Sequence, residues 1–217
     1  MIEDFNLLLN IGRSSYYIPL LFVLYYLFKI KNNRYTNFER LLLFYVTYNG
    51  IVIAVEQFIL DGHIENINPL YNIVTIIDFF TITAIFTIIS HNLGEKILKF
   101  LKYLIVTYLL ISITELLFVN DLYSINLYSN NISKSLIIIF AGITIYYSEI
   151  KIEISSSQKI FTYTVFMYSI LTLPITLFEQ FLRLKASNYL YIIWSLNILF
   201  AILYNLSLTL ALWKWKK

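Results

Sequence analysis

The sequence predicts an all-α, polytopic transmembrane bundle of seven helices, and three observations carry that prediction. The 217 residues are 59% hydrophobic and 13% charged, more apolar than a domain of this size can hide from water. Seven stretches approach the roughly 20 apolar residues that span a hydrocarbon core of about 30 Å. Lys and Arg cluster on alternate connections, as they do where a chain crosses a bilayer repeatedly.

Helix one is expected at 14–30, with Pro19 able to bend it. Residues 2–11 ahead of it read either as a short interfacial helix, with Asp4 near its start and Gly12 behind it, or as an extension of helix one. Helix two spans 41–60 and carries Asn49 and Glu56 seven residues apart, on one face. Helix three, 70–90, aligns Tyr71 and Thr75 with Asp78. Helix four, 100–119, aligns Tyr108 and Ser112 with Glu115, and helix five, 132–148, is poor in polar groups. Helices one and five therefore suit lipid or another subunit. Helix six, 160–182, places Tyr168, Thr172 and Thr176 with Glu179 and contains Pro174. Helix seven, 189–213, adds Asn197, Tyr204 and Asn205. The connections are too short for a soluble domain, so residues 1–217 read as a single transmembrane domain with any site inside the helices or at their two ends.

Orientation follows from the cations. Twelve of the 16 Lys and Arg residues, from Lys29 to Lys217, fall on one side, against Arg13, Lys134, Arg183 and Lys185 on the other. Cationic loops stay in the cytoplasm, which puts the N-terminus outside and the C-terminus inside a cell inner membrane. Trp213 and Trp215 beside the terminal lysines are placed as interfacial anchors. The chain opens Met1-Ile2-Glu3-Asp4 without a basic n-region, so helix one is expected to stay in the mature protein.

The candidate ligand or ion cavity is built on acids, because an acid at a helix centre costs about 2.5–3.5 kcal/mol on insertion scales and usually turns inward. Glu56, Glu115 and Glu179 lie about 6–8 Å below the outer surface and Asp78 about 13 Å, near the midplane, at 1.5 Å rise per residue. With Thr75, Tyr71 and Asn197 they compose an acidic, hydroxyl-rich region facing outward. For the three glutamates a structural reading competes, since each can reach the headgroups and Glu179 stands four residues before Arg183. Asp78 has no such exit.

Other chemistries lack their residues. There is no cysteine, and His63 and His91 sit in loops at opposite faces, so no thiolate or histidine metal site forms and no metal is expected. A Gly-rich phosphate loop, a zinc-protease helix and a nucleophile elbow are all missing. Helix seven lacks the central lysine that would bind retinal, and no other cofactor is implied. A net charge of +3 follows topology and does not argue for nucleic acid. Asp78 has no second Asp at its depth for paired acid chemistry, and catalysis is not expected, although acids near the headgroups leave lipid modification open.

An internal similarity links Val55-Glu56-Gln57-Phe58 with Phe178-Glu179-Gln180-Phe181, and the openings of the helices that follow. It has the form of a parallel 3+1+3 repeat with helix four as linker, or of coincidence in a chain of few residue types. The opening Asn68-Pro69-Leu70-Tyr71 with Asp78 ten residues after Asn68, the closing Phe178-Glu179-Gln180-Phe181 and the late Leu212-Trp213-Lys214 resemble an uncharacterised seven-helix membrane protein family of Bacteroidota. Its members are often encoded beside sensor histidine kinases, which implies a sensing or partner subunit next to a membrane kinase. Where that family carries Glu beside Phe in helix three, this chain has Asp78 beside Phe79. Two functions follow as expectations: a receptor-like or accessory subunit sensing an extracytoplasmic or membrane signal, or a transporter or channel for a small solute or ion that uses the intramembrane acids.

Overall fold

The computed structural model describes residues 2–29, 35–61, 68–91, 95–119, 127–150, 153–185 and 187–214. Every regular element in them is helical: α1 (Ile2–Ser15), α2 (Tyr17–Lys29), α3 (Asn37–Asp61), α4 (Asn68–Ile89), α5 (Glu95–Thr114) with a π-helical last turn (Glu115–Val119), α6 (Leu127–Ile150), α7 (Ser156–Lys185) and α8 (Ser187–Lys214). Seven spans among the described residues are long and apolar enough to cross a membrane, the first shared by α1 and α2. Large apolar side chains such as Leu21, Phe58, Leu110 and Phe118 lie on the outside, where only lipid accommodates them at this density. The chain is an all-α, multi-pass integral membrane protein.

Local chemistry sets the helix ends. Before α3, the Thr36 amide donates to Glu39 Oε2 at 2.6 Å and the Glu39 amide to Thr36 Oγ at 3.3 Å. Before α7, the Ser155 amide donates to Gln158 Oε1 at 2.8 Å and the Gln158 amide to Ser155 Oγ at 3.2 Å. Both are capping boxes, which satisfy orphan amides at a helix start and begin each helix about four residues before its apolar run.

The chain divides into two compact units, one of residues 1–34 with 155–217 and one of residues 35–154. They cut across the 3+1+3 grouping, because the first span belongs with the last two.

In the first unit α8 is the hub, packed against α1, α2 and, most extensively, α7. The expected limits of helix one are corrected: residues 2–11 continue into α1, the apolar span covers Phe5–Tyr25, and the helix breaks at Tyr16. Pro19 explains the break. A proline lacks the amide that would bond the carbonyl four residues back and its ring collides with that carbonyl, here Ser15, the last residue of α1. The Tyr16 amide instead bonds Arg13 O at 3.2 Å, a tighter turn. Gly12 lets α1 approach α8 closely, since a Cβ there would stand 2.5 Å from Ile198 Cγ2. Nearby, Asn205 Nδ2 donates to Ser15 Oγ at 2.9 Å, which donates to Gly12 O at 2.6 Å. Contacts from Gly12 to Ile198, Ser15 to Asn205 and Phe22 to Trp213 run in one direction, so the first and last spans are parallel, as an odd number of crossings requires. Pro174 sits inside α7 without ending it.

In the second unit α4 is the hub, against α3, α5 and α6. It is also the most buried span, and Phe79, Ile85 and Phe86 are fully enclosed. Ser90 Oγ and Thr144 Oγ, 3.1 Å apart, tie its end to α6. The expected helix five starts too late: α6 begins at Leu127, and Lys134, counted with the outer loops, lies in its second turn. Polar residues do not stop this helix because they bond its own backbone, Ser133 Oγ to Asn130 O at 2.7 Å and Ser135 Oγ to Asn131 O at 2.9 Å.

Candidate functional site

Most hydroxyls in the spans are consumed locally. Thr75 bonds Tyr71 O at 2.9 Å, Thr81 bonds Ile77 O and Thr83 bonds Phe79 O at 2.8 Å each, and Thr172 bonds Tyr168 O at 2.8 Å. Asn49 Nδ2 likewise donates to Tyr45 O at 2.9 Å. Such side chains satisfy themselves on the preceding turn and offer little to a ligand.

A different group stands out in the second unit. Asp78 Oδ1, the Tyr48 and Tyr108 hydroxyls and Ser112 Oγ are buried and have no hydrogen-bond partner among the described residues. Three of them lie at the centres of their spans. Asp78 is the eleventh of 22 residues in Asn68–Ile89, Tyr48 the twelfth of 23 in Asn37–Ile59, and Tyr108 the twelfth of 22 in Ile97–Phe118. The Asp78 carboxylate acts electrostatically on both tyrosine hydroxyls, and Ser112 lies beside that of Tyr108 one turn further along. Phe79 holds Tyr108 in place, ring centroids 3.8 Å apart, with Phe80 at 6.5 Å. Tyr108 is fully enclosed and Ser112 is 3% exposed, so neither hydroxyl reaches the outside. Orphaned buried polar groups are uncommon, each costing about 1–3 kcal/mol, and four on three neighbouring helices call for a reason.

Glu115 is engaged elsewhere. It accepts the backbone amides of Tyr128 at 3.0 Å and Ser129 at 2.6 Å, and the Ser129 hydroxyl. Its carboxylate thus caps α6, where a negative charge also meets the positive end of the helix dipole. It is 3% exposed, and it reaches Tyr108 electrostatically from that end. The π-turn it opens adds a residue per hydrogen-bonded ring, a distortion often found where a helix does more than span.

The remaining candidates are placed as follows. Glu56 is buried near the end of α3, Thr75 half-buried and Tyr71 exposed on α4. Asn197 is half-buried on α8 and belongs to the other unit. Glu179 is part of α7, its side chain outside the described residues, as is His63, while His91 is exposed. No three His, Asp or Glu among the described residues gather into a metal site. Two open grooves of about 440 and 370 Å³, one beside Glu115 and Tyr128 and one between α7 and α8 at Met167 and Leu203, are mostly apolar and neither includes Asp78.

Sequence reasoning missed Tyr48. Its signal was positional: a phenol at the centre of an apolar span, matched by an acid and another phenol at the centres of the next two. The chain matches no family model, no curated protein and no solved structure.

Proposed function

We propose that this integral membrane protein is a receptor-like or accessory subunit that registers an extracytoplasmic or membrane signal at Asp78 and passes it to a partner in the same membrane. One observation carries the reading: a carboxylate oxygen held without a partner at the centre of the most buried span. An acid so placed is expensive and is retained where its charge or its partner can change. Output has to travel through helix contacts, because the connections are short: α3 and α4 are separated by residues 62–67, and α7 and α8 by residue 186. The Lys and Arg asymmetry supports an inner membrane setting with the N-terminus outside and the C-terminus in the cytoplasm. A membrane kinase is the partner that the resemblance suggests.

Asp78→Asn tests the reading, because it keeps shape and removes charge. In cells, the partner pathway, followed by a phosphorylation reporter, should lock in one state while the protein stays at wild-type abundance. A reporter that responds normally with Asp78→Asn in place rejects Asp78 as the sensing group.

The midplane position of Asp78 also favours a second reading, transport of a small solute or ion. Flux into proteoliposomes that disappears with Asp78→Asn, with no effect on any partner, selects it.

A further inference from the structure

We propose that Asp78, Tyr48, Tyr108 and Ser112 form a binding site for one dehydrated alkali cation at the middle of the second unit. The proposal rests on the reading of Asp78 as the working centre and names its ligand class.

The donor set comes first. It is one carboxylate oxygen and three hydroxyl oxygens, all buried and unpartnered among the described residues, with no nitrogen or sulfur. Hard oxygen donors select hard cations over transition metals. One formal negative charge neutralises one monovalent cation, whereas a divalent ion would leave net positive charge at the midplane and asks for about six to eight oxygens. A proton on Asp78 removes the charge but leaves the other three oxygens as they were. A cation accepts lone pairs from all four.

Internal compensation is the rival. Residues 41–59, 68–89 and 103–118 contain no Lys, Arg or His, so the three helices that supply the oxygens supply no countercharge. Lys134 on α6 is the nearest basic residue by level. The Ser90 to Thr144 contact sets the register of two helices running the same way, and twelve residues back from each lie Asp78 and Ile132. Lys134 nevertheless makes no ion pair with Asp78 among the described residues. The walls suit a dehydrated ion: Phe79 and Tyr108 are fully enclosed and stacked, which keeps bulk water from the cluster on that side.

The test uses the full chain in lipid nanodiscs, with sodium chloride or potassium chloride exchanged for choline chloride at constant ionic strength. The thermal unfolding midpoint should rise saturably with sodium or potassium, as it does for any ligand that binds the folded state alone. Asp78→Asn should abolish the rise. Tyr108→Phe, Tyr48→Phe and Ser112→Ala each remove one oxygen with little change of packing and should raise the half-saturating concentration about tenfold. They carry the test if Asp78→Asn does not fold.

A choline series identical to the alkali series overturns the site, and so does an undiminished rise in Asp78→Asn. Unchanged half-saturation in all three hydroxyl variants also overturns it. If Lys134 is the countercharge, the wild type shows no cation dependence and Lys134→Met unfolds unless Asp78→Asn accompanies it, which again overturns the proposal. A cation-independent wild type whose Asp78→Asn variant still locks the partner reporter overturns the cation site and leaves the sensing reading standing. Saturable alkali binding with a normal reporter in Asp78→Asn does the reverse.

Discussion

Removing the Glu115 carboxylate separates a structural acid from a working one. Glu115→Ala deprives three donors of their acceptor: the amides of Tyr128 and Ser129 and the Ser129 hydroxyl. The three losses are unequal. Tyr128 is 65% exposed, so its amide finds another acceptor in water or headgroups, whereas Ser129 is 2% exposed and its two donors are stranded. A lost cap is worth about 0.5–2 kcal/mol and a stranded buried donor about 1–3. Because these overlap, the expected destabilisation is about 2–4 kcal/mol. For a chain of this length each kcal/mol moves the unfolding midpoint about 2–4 °C, so a fall of about 5–15 °C is expected in detergent or nanodiscs. Glu115→Gln retains one acceptor oxygen and should lose about half as much, while amide exchange at residues 128–131 should rise in both variants. A Glu115→Ala midpoint within about 1 °C of wild type, with the α6 amides still protected, would refute the cap.

Gly12→Ala sets two effects against each other. Alanine gains about 1 kcal/mol of helix propensity, but its Cβ would lie 2.5 Å from Ile198 Cγ2, on a branched carbon that cannot swing away, and overpacking costs about 1–3 kcal/mol. Net destabilisation is expected, and Ile198→Ala in the same chain should lessen the penalty of Gly12→Ala in a double-mutant cycle of unfolding midpoints. Pro19→Ala restores an amide opposite Ser15 O and should join α1 to α2, seen as new exchange protection at residue 19; an amide that exchanges as fast as in a loop rejects proline as the cause of the break. Thr36→Ala removes half a capping box and should destabilise the protein by about 1 kcal/mol, measured by the same unfolding assay. The cysteine-free chain also permits a direct topology test: a membrane-impermeant thiol reagent should label Glu153→Cys in inverted vesicles and not in intact cells, and the opposite pattern reverses the orientation.

The spans were legible because hydrophobic length is a property of the chain alone. A bilayer needs about 20 apolar residues whatever they pack against, so seven runs and the central depth of Asp78 followed without contacts. Helix ends were less legible. The capping boxes at Thr36 and Ser155 are short polar motifs that precede the apolar runs, and hydropathy counts them as loop. The candidate site was legible only in part. Asp78, Tyr108 and Ser112 were recognisable as polar residues on helical faces, but intrahelical spacing compares a residue only with its own turn. That three centres, at Tyr48, Asp78 and Tyr108, share one neighbourhood depends on α4 packing between α3 and α5.

Glu115 marks the same division most sharply. Its sequence context, an acid one turn from Ser112 and two from Tyr108, matched that of Asp78 closely enough to put both in one cavity. Chain composition and periodicity determined the membrane, the number of spans and the presence of costly acids, because those depend on solvent and on helix geometry. Tertiary structure alone decided which acid is satisfied: thirteen residues on, the start of α6 brings two amides and a hydroxyl to Glu115, and nothing described does so for Asp78 Oδ1. The identity of a partner is a long-range contact, and no local pattern encodes it.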